Sequence, residues 1–303
     1  MRFHVILNRD GGTLRTIDVG KFANQIENTL SAAGHAADVI VLSGSEITEA
    51  LRAATHKDCD VVMVGGGDGT VSAAAVELNG KDKALAVLPA GTMNLFARSL
   101  AIPLALEDAV AALASGEVRA VDLAMADGAV FIHQFSVGLH AELIRLREQR
   151  AYVSRLGKIW ASVRAGMDAF IRPPRFAATL EIDGREMTVK TSAIGITNNM
   201  FGEGRMLPYA DTLTAGVLGV YVTRARRRRD MFMTAIRVAL GRWQNNPHID
   251  IYQARAVRMT LSSNHGKLGC AVDGELVPLA KETTLQVLPA ALKVLVPVAS
   301  PTG

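Results

Sequence analysis

The 303-residue sequence predicts an α/β domain built on a mainly parallel sheet, followed by a C-terminal antiparallel β-rich domain. Two patterns carry this expectation. Up to Met125 short β-type runs alternate with segments of helical periodicity, and beyond about Leu123 strand-like runs follow one another with few helices between them. The 49% apolar composition is ample for a core, and the length makes two domains the natural division.

In order, Phe3–Leu7 reads as a strand, and Val19, Phe22, Ile26 and Leu30 recur at helical spacing. Val39–Leu42 is a second strand, Ile47–Ala54 a helix opened by Ser45 and Glu46, Val61–Val64 a third strand and Ala84–Leu88 a fourth. In the second half the strand-like runs are Val130–Val137, Ala177–Ile182, Met187–Ile196, Val217–Val222, Val257–Leu261 and Leu268–Val272. Asp183-Gly184 is a tight-turn signal between two of them. Helical stretches are expected near Ala141–Phe170 and Asp230–Trp243. The domains are then residues 1–125 and 126–289, with segment 290–303 expected to return to the first.

Thirty-three Lys and Arg against 29 Asp and Glu leave a net charge of +4, a mild excess that does not argue for a nucleic-acid partner. Cys59 and Cys270 stand far apart, without zinc-ligand spacing, and fit a reducing cytoplasm. Arg9 and Asp10 interrupt the first apolar run before an export signal forms. The uncharged stretch Ala84–Ala97 is broken by Pro89 and Gly91 and falls short of the roughly 20 residues of a spanning helix. The expected location is cytoplasmic, with any membrane contact made peripherally at the inner face.

The most informative segment is Gly65-Gly66-Gly67-Asp68-Gly69-Thr70, which follows a buried-strand run and precedes a helix expected from Val71. Consecutive glycines let the backbone approach a bulky anion, and a helix N-terminus favours phosphate. Such glycines could also serve only a tight turn. A carboxylate among phosphate-binding amides favours a bridging cation, so Asp68 points to Mg²⁺ brought in with a nucleotide. No GxxxxGK[ST] motif is present. Two more Gly-containing turns end strands of the same sheet, at Asn8–Thr13 and at Pro89–Asn94, and ligands sit at the carboxyl ends of parallel strands.

GGGDGT at 65–70, PAGTMNLFAR at 89–98, Phe135-Ser136-Val137-Gly138 and Val272-Asp273-Gly274-Glu275, in this order, resemble the catalytic domain of diacylglycerol, sphingosine and related bacterial lipid kinases. The resemblance implies an NAD kinase/diacylglycerol kinase-like fold, ATP and Mg²⁺ as cofactors, and a lipid hydroxyl as acceptor. It assigns nucleotide binding to Asn8, Gly11, Gly12, Gly66, Gly67, Asp68, Gly69, Thr70 and Thr92, with Asp68 also contacting the metal of Mg-ATP. Glu275 falls where the family places the proton acceptor for the lipid hydroxyl, and Asp68 is the other candidate for that role. Taken without the family pattern, Asp273-Gly274-Glu275 reads as a hairpin turn. Asn94 and Glu142 are assigned to the acceptor side. Gly138–Glu142, followed by Tyr152 and Arg155-Leu156-Gly157, resembles the sphingosine kinase region that contacts the acceptor head group, and Glu142 reads equally as a solvated residue at a helix start.

The sequence departs from the family at four places, one of them Leu95, which follows Asn94 where the family often has an acidic residue. Arg9 stands where the first loop has proline, Ser72-Ala73 replaces a polar pair, and Ala215 stands where bacterial members hold a structural Mg²⁺ with aspartate. Arg224 and Arg226–Arg229 precede Phe232, Ile236, Ala239, Leu240 and Trp243 at helical spacing, a pattern suited to an anionic membrane surface. The same pattern suits a helix packed on the C-terminal sheet beside solvated arginines. His133, His140 and His265 lack ligand spacing. NAD kinase on a soluble acceptor and a non-catalytic nucleotide-binding regulator are the competing readings. The identity of the lipid and the oligomeric state, a homodimer included, are left open.

Overall fold

A computed structural model describes residues 1–151, 175–225, 228–262 and 268–298, apart from the side chains of 147–151 and 228. The first elements are β1 (Arg2–Asn8), α1 (Val19–Ala32), β2 (Ala36–Leu42), α2 (Ile47–Ala54), β3 (Val61–Gly66), α3 (Asp68–Leu78), β4 (Ala84–Pro89), α4 (Leu95–Ser99), α5 (Leu106–Ala114) and β5 (Glu117–Ala126). Next come β6 (Ala129–Phe131), β7 (Gln134–Gly138), α6 (Leu139–Ala151), β8 (Phe176–Ile182), β9 (Arg185–Thr191), β10 (Ala193–Asn198) and β11 (Leu218–Thr223). The last are α7 (Arg228–Ala239), β12 (Ile249–Ala254), β13 (Ala256–Leu261), β14 (Cys270–Val272), β15 (Glu275–Val277) and β16 (Glu282–Val296). Among the described residues no helix is long and apolar enough to cross a membrane.

The chain divides into two compact units. The first holds residues 1–123, 212–215 and 288–303. Its parallel strands run in the order β2-β1-β3-β4, and Val294 of β16 pairs in parallel with Leu85 of β4. β3 and β4 are buried at every position, as a parallel sheet covered on both faces requires. α1 is capped by Asp18, whose carboxylate accepts the Lys21 N–H at 3.1 Å, and it buries Phe22, Ile26 and Leu30. From β1 the chain crosses to β2 on one side, and β3 lies on the other. The crevice where strand order reverses thus opens between the ends of β1 and β3.

The second unit holds residues 124–211 and 216–287. Its six-stranded sheet, β12-β11-β10-β7-β14-β15, is antiparallel throughout. β9, β8, β13 and the first residues of β16 form a further antiparallel set. Phe131, Phe135, Val137, Leu180, Ile196, Val220, Val257 and Met259 are buried together as the core. Three Asp-Gly turns recur here, at 127–128, 183–184 and 273–274, each with positive φ at both residues, the backbone of a type I′ hairpin. Each aspartate also accepts backbone N–H groups from a distant strand or loop. Asp127 takes Thr284, Asp183 takes Arg255 and Ala256, and Asp273 takes Ile132, His133 and Gln134.

Several predicted runs are divided in the structure. Val130–Val137 is split at Ile132-His133, where Asp273 collects the amides. Met187–Ile196 is split at Ser192, because β9 pairs with β8 whereas β10 pairs with β7 and β11. α7 stops at Ala239. Gly241 follows with φ +71°, and a Cβ there would lie 2.2 Å from the Arg205 amide nitrogen. Trp243 therefore leaves the helical face and packs against Phe201 and Tyr221, with ring centroids 5.3 and 5.9 Å away. Tyr152, Arg155–Gly157, Arg226, Arg227, His265 and the C-terminal part of the helical stretch expected to Phe170 lie outside the described residues.

Candidate active site

In the first unit the three strand-end loops meet. Asn8, the last residue of β1, donates from Nδ2 to Thr70 Oγ1 at 3.2 Å, and its Oδ1 accepts the Asp10 N–H at 3.0 Å. The Gly11 N–H closes onto the Asn8 carbonyl at 2.9 Å, and the Thr13 N–H reaches the Ala90 carbonyl at 2.9 Å. A Cβ on Gly12 would lie 3.2 Å from that same Ala90 oxygen. These contacts stitch the first loop to the second and third.

Glycine is required sterically in both the Gly-rich run and the 89–94 loop. A Cβ on Gly66 would fall 2.5–2.7 Å from the Thr70 side chain, so its absence lets Thr70 fold back over the strand end. A Cβ on Gly91 would lie 2.6 Å from the Gly67 Cα and 2.9 Å from Asn94 Oδ1. The second and third loops thus touch backbone to backbone. Gly67 is the N-cap of α3, and the amides of Asp68, Gly69 and Thr70 have no acceptor within the helix by its geometry. A helix start beside closely packed glycine backbone is a place for an anion.

Asp68 spans the same two loops. Its Oδ2 accepts the Asn94 N–H at 3.0 Å and its Oδ1 the Leu95 N–H at 2.7 Å, so the carboxylate caps α4. Each oxygen retains a further lone pair. Asn94 has left-handed backbone at φ 51° and is buried. Its Oδ1 accepts the Gly91 N–H at 2.8 Å, while its Nδ2 donates to the carbonyls of Gly91 and Pro89 at 2.9 and 3.3 Å. Its side chain is spent on the shape of its own loop. Thr92 and Gly69 are exposed at the rim, and Thr70 is half-buried. Asn8, Gly11, Gly12, Gly66, Gly67, Asp68, Gly69, Thr70, Thr92 and Asn94 are therefore gathered at one end of one sheet.

The remaining candidates belong to the second unit. Glu275 opens β15 directly after the Asp273-Gly274 turn and is exposed. Asp273 anchors that turn. Its Oδ1 accepts the His133 and Gln134 amides at 2.9 and 3.0 Å, its Oδ2 the Ile132 amide at 2.9 Å, and its own N–H donates to the Gln134 carbonyl at 2.8 Å. Glu142 lies in the first turn of α6, where the helix dipole favours a carboxylate, and pairs with Arg145 at 2.6 Å. Ser136 and His140 Nδ1 are hydrogen-bonded at 2.8 Å.

Residues 2–126 match the diacylglycerol kinase catalytic domain, and residues 156–296 match the YegS C-terminal NAD kinase beta sandwich-like domain. The chain belongs to the diacylglycerol kinase-like family of lipid kinases. A diacylglycerol kinase of Bacillus subtilis (strain 168) is 26% identical over 248 residues, covering 77% of this chain and 80% of that protein. A diacylglycerol kinase of Mycobacterium tuberculosis (strain ATCC 25618 / H37Rv) is 27% identical over 322 residues, covering 94% and 98%. The solved structure of a diacylglycerol kinase from Bacillus anthracis str. Sterne superposes with a TM-score of 0.72 at 17% identity, covering 99% of this chain and 97% of that one, a likeness of fold.

Membership in this lipid kinase family makes phosphotransfer the reaction class and implies ATP, typically with a divalent metal. The geometry fits both. The Gly67–Gly91 contact forms a cradle that a single Cβ would fill, and Asp68 places a fixed carboxylate at its edge. The sequence reading did not foresee the positioning roles of Asp273 and Asn94. The Asp-Gly pair at 273–274, like that at 183–184, was the available signal for the first.

Proposed function

We propose that the protein is an ATP- and Mg²⁺-dependent kinase that transfers the γ-phosphoryl group to the hydroxyl of a diacylglycerol, a sphingoid base or a related lipid. The observation that carries this reading is the Gly67–Gly91 backbone contact bridged by Asp68, at the strand ends where sheet order reverses. Amides at the start of α3 and the glycine backbone beside them bind the nucleotide phosphates. Asn8 and Thr70, joined at 3.2 Å, fix the loop that closes over them. The divalent ion, when bound, neutralises phosphate charge. Asp68, already oriented by two amides, would hold it through its remaining lone pairs.

Phosphoryl transfer asks mainly for positioning and charge neutralisation. The new bond joins the lipid oxygen to the γ-phosphorus, the bond from that phosphorus to the β,γ-bridging oxygen breaks, and ADP leaves. Glu275 accepts the proton of the attacking hydroxyl. Glu142 orients the acceptor, and Asn94 acts by shaping the loop of Thr92. A location at the inner face of the membrane, with the protein otherwise cytoplasmic, follows from such an acceptor.

The test is incubation of the purified protein with γ-labelled ATP, Mg²⁺ and mixed micelles of diacylglycerol, sphingosine, monoacylglycerol or phosphatidylglycerol, beside a reaction with NAD. Label in a lipid is the expected result. Label only in NAD overturns the acceptor, and label in nothing favours a nucleotide-binding regulator.

A further inference from the structure

We propose that α7 docks the protein on an anionic lipid bilayer, its outer face entering the boundary between headgroups and acyl chains while arginines at its start engage the headgroups. This deepens the lipid-kinase reading and rests on it only for the expectation that a bilayer is where the acceptor is met.

α7 carries its large apolar side chains on the wrong side for a helix of a water-soluble domain. Phe232, Met233, Ile236 and Leu240 are 63, 46, 38 and 58% exposed. Positions 232, 236 and 240 follow one another at four-residue steps, with 233 beside them, so Phe232, Met233 and Ile236 make one stripe that Leu240, just past the end of the helix, continues. The buried face is narrower. Met231 packs with Leu139 and Ala225, and Thr234 turns its hydroxyl onto the Asp230 carbonyl at 2.7 Å. A helix that buries a methionine and a threonine while presenting Phe, Met, Ile and Leu to water leaves an apolar surface that calls for a cover.

Charge selects the cover. Residues 224–229 contain five arginines and no acid. Arg229, whose side chain is 75% exposed, stands three and four residues before Phe232 and Met233, at the headgroup end of the same stripe. Arg224 is 66% exposed. Arg224 and Arg229 are themselves ion-paired, to Asp250 and Asp230, which are only about a fifth exposed, and each guanidinium has further N–H donors for headgroups. Ala225, which packs beside Met231, also lines a cavity of about 530 Å³ whose other walls include the exposed Arg175 and Lys190. A cationic rim around an apolar stripe is the arrangement of interfacial helices on anionic membranes.

The experiment is flotation of the full-length protein with vesicles of phosphatidylcholine alone or mixed with phosphatidylglycerol, without ATP. The expected result is binding to the anionic vesicles that weakens with salt, and a loss on the order of tenfold or more in the doubly substituted Phe232→Ser, Ile236→Ser protein. Both sites are exposed, so unchanged circular dichroism should accompany the loss. A Phe232→Cys protein carrying an environment-sensitive fluorophore should shift its emission to the blue on anionic vesicles. Labelling is directed there because the native Cys59 and Cys270 are both buried.

Equal binding to both vesicle types, unchanged binding by the double variant, or a label that stays in water would each overturn the proposal. So would a wild-type dimer in lipid-free solution that the double variant breaks, since a second copy would then cover the stripe. Vesicle binding without lipid phosphorylation would leave this proposal standing and sink the kinase reading. Phosphorylation of dispersed lipid without vesicle binding would do the reverse.

Discussion

The Leu95 N–H donates to Asp68 Oδ1 across 2.7 Å, and through this bond and its neighbour from Asn94 the GDGT turn holds the GTMN turn in place. Asp68 is therefore a structural cap, and in the proposed kinase it is also the charged group beside the nucleotide phosphates. Asp68→Asn keeps one acceptor but turns an amide N–H₂ toward a backbone donor. The stability cost should be about 1–3 kcal/mol. Turnover should fall by about 10²-fold or more, as when a transition-state electrostatic contact is lost. Thermal unfolding and initial-rate assays on the same preparation check both. A variant with full turnover would remove Asp68 from the chemistry.

Gly91 cannot accept a methyl group without moving Gly67 or Asn94, since its Cβ would lie 2.6 Å from one and 2.9 Å from the other. Gly91→Ala should raise the KM for ATP by about tenfold or more, equivalent to about 1.4 kcal/mol of lost binding. Gly20→Ala is the contrast. Its Cβ would meet only Asp18 Oδ1, at 3.4 Å, in the first turn of α1. That substitution should leave KM alone and raise stability by about 0.4–1 kcal/mol. Equal KM values in the two variants would show that the loop contact does not shape the nucleotide site.

Asp273 and Glu275 should separate cleanly despite being two residues apart. Glu275 is exposed, so Glu275→Gln should lower kcat by about 10²-fold or more with little change in unfolding temperature. Asp273→Ala strips three backbone amides of their acceptor and should destabilise the protein by roughly 1–3 kcal/mol or more. An active Glu275→Gln protein would remove the assigned base.

What the sequence revealed, and what it concealed, divides by the distance over which the information acts. The Gly-rich turns were legible because composition alone states where Cβ atoms are missing. The burial of β3 and β4 was legible from unbroken apolar runs. The clamp of Asp273 on residues 132–134 joins segments some 140 residues apart, and nothing local announces it. Asn94 faces inward because its backbone is left-handed, a conformation its neighbours do not dictate. Trp243 fits the helical spacing of Phe232 and Ile236 yet leaves that face, since Gly241 ends the helix where the Arg205 backbone crosses it. β16 is concealed by Pro289, which ordinarily ends a strand. Here the chain absorbs it with positive φ at Ala290, whose N–H donates to Asp122 at 3.0 Å.

Stability should also depend on pH through a buried histidine away from the site. His4 is buried in β1 with Nδ1 at 2.9 Å from Asp38 Oδ2, and Lys57 Nζ lies 2.9 Å from the same oxygen and 3.4 Å from the ring. Burial first, and then the Lys57 charge, push the imidazole pKa below its ordinary 6.5, outweighing the pull of Asp38. Folded His4 therefore stays neutral where the unfolded chain has begun to protonate. Its contribution to stability is complete above about pH 6.5 and is lost as pH falls below that value. The slope is at most about 1.4 kcal/mol per pH unit for this one group. Asp38, whose pKa is held down chiefly by its hydrogen bond from Lys57, loses its contribution only lower, as pH drops through the carboxylate range. Urea unfolding midpoints measured from pH 7.5 to 5 should decline in the wild type and flatten in His4→Phe, which retains an apolar ring in the same pocket. An unchanged decline in the variant would assign the proton uptake to another group.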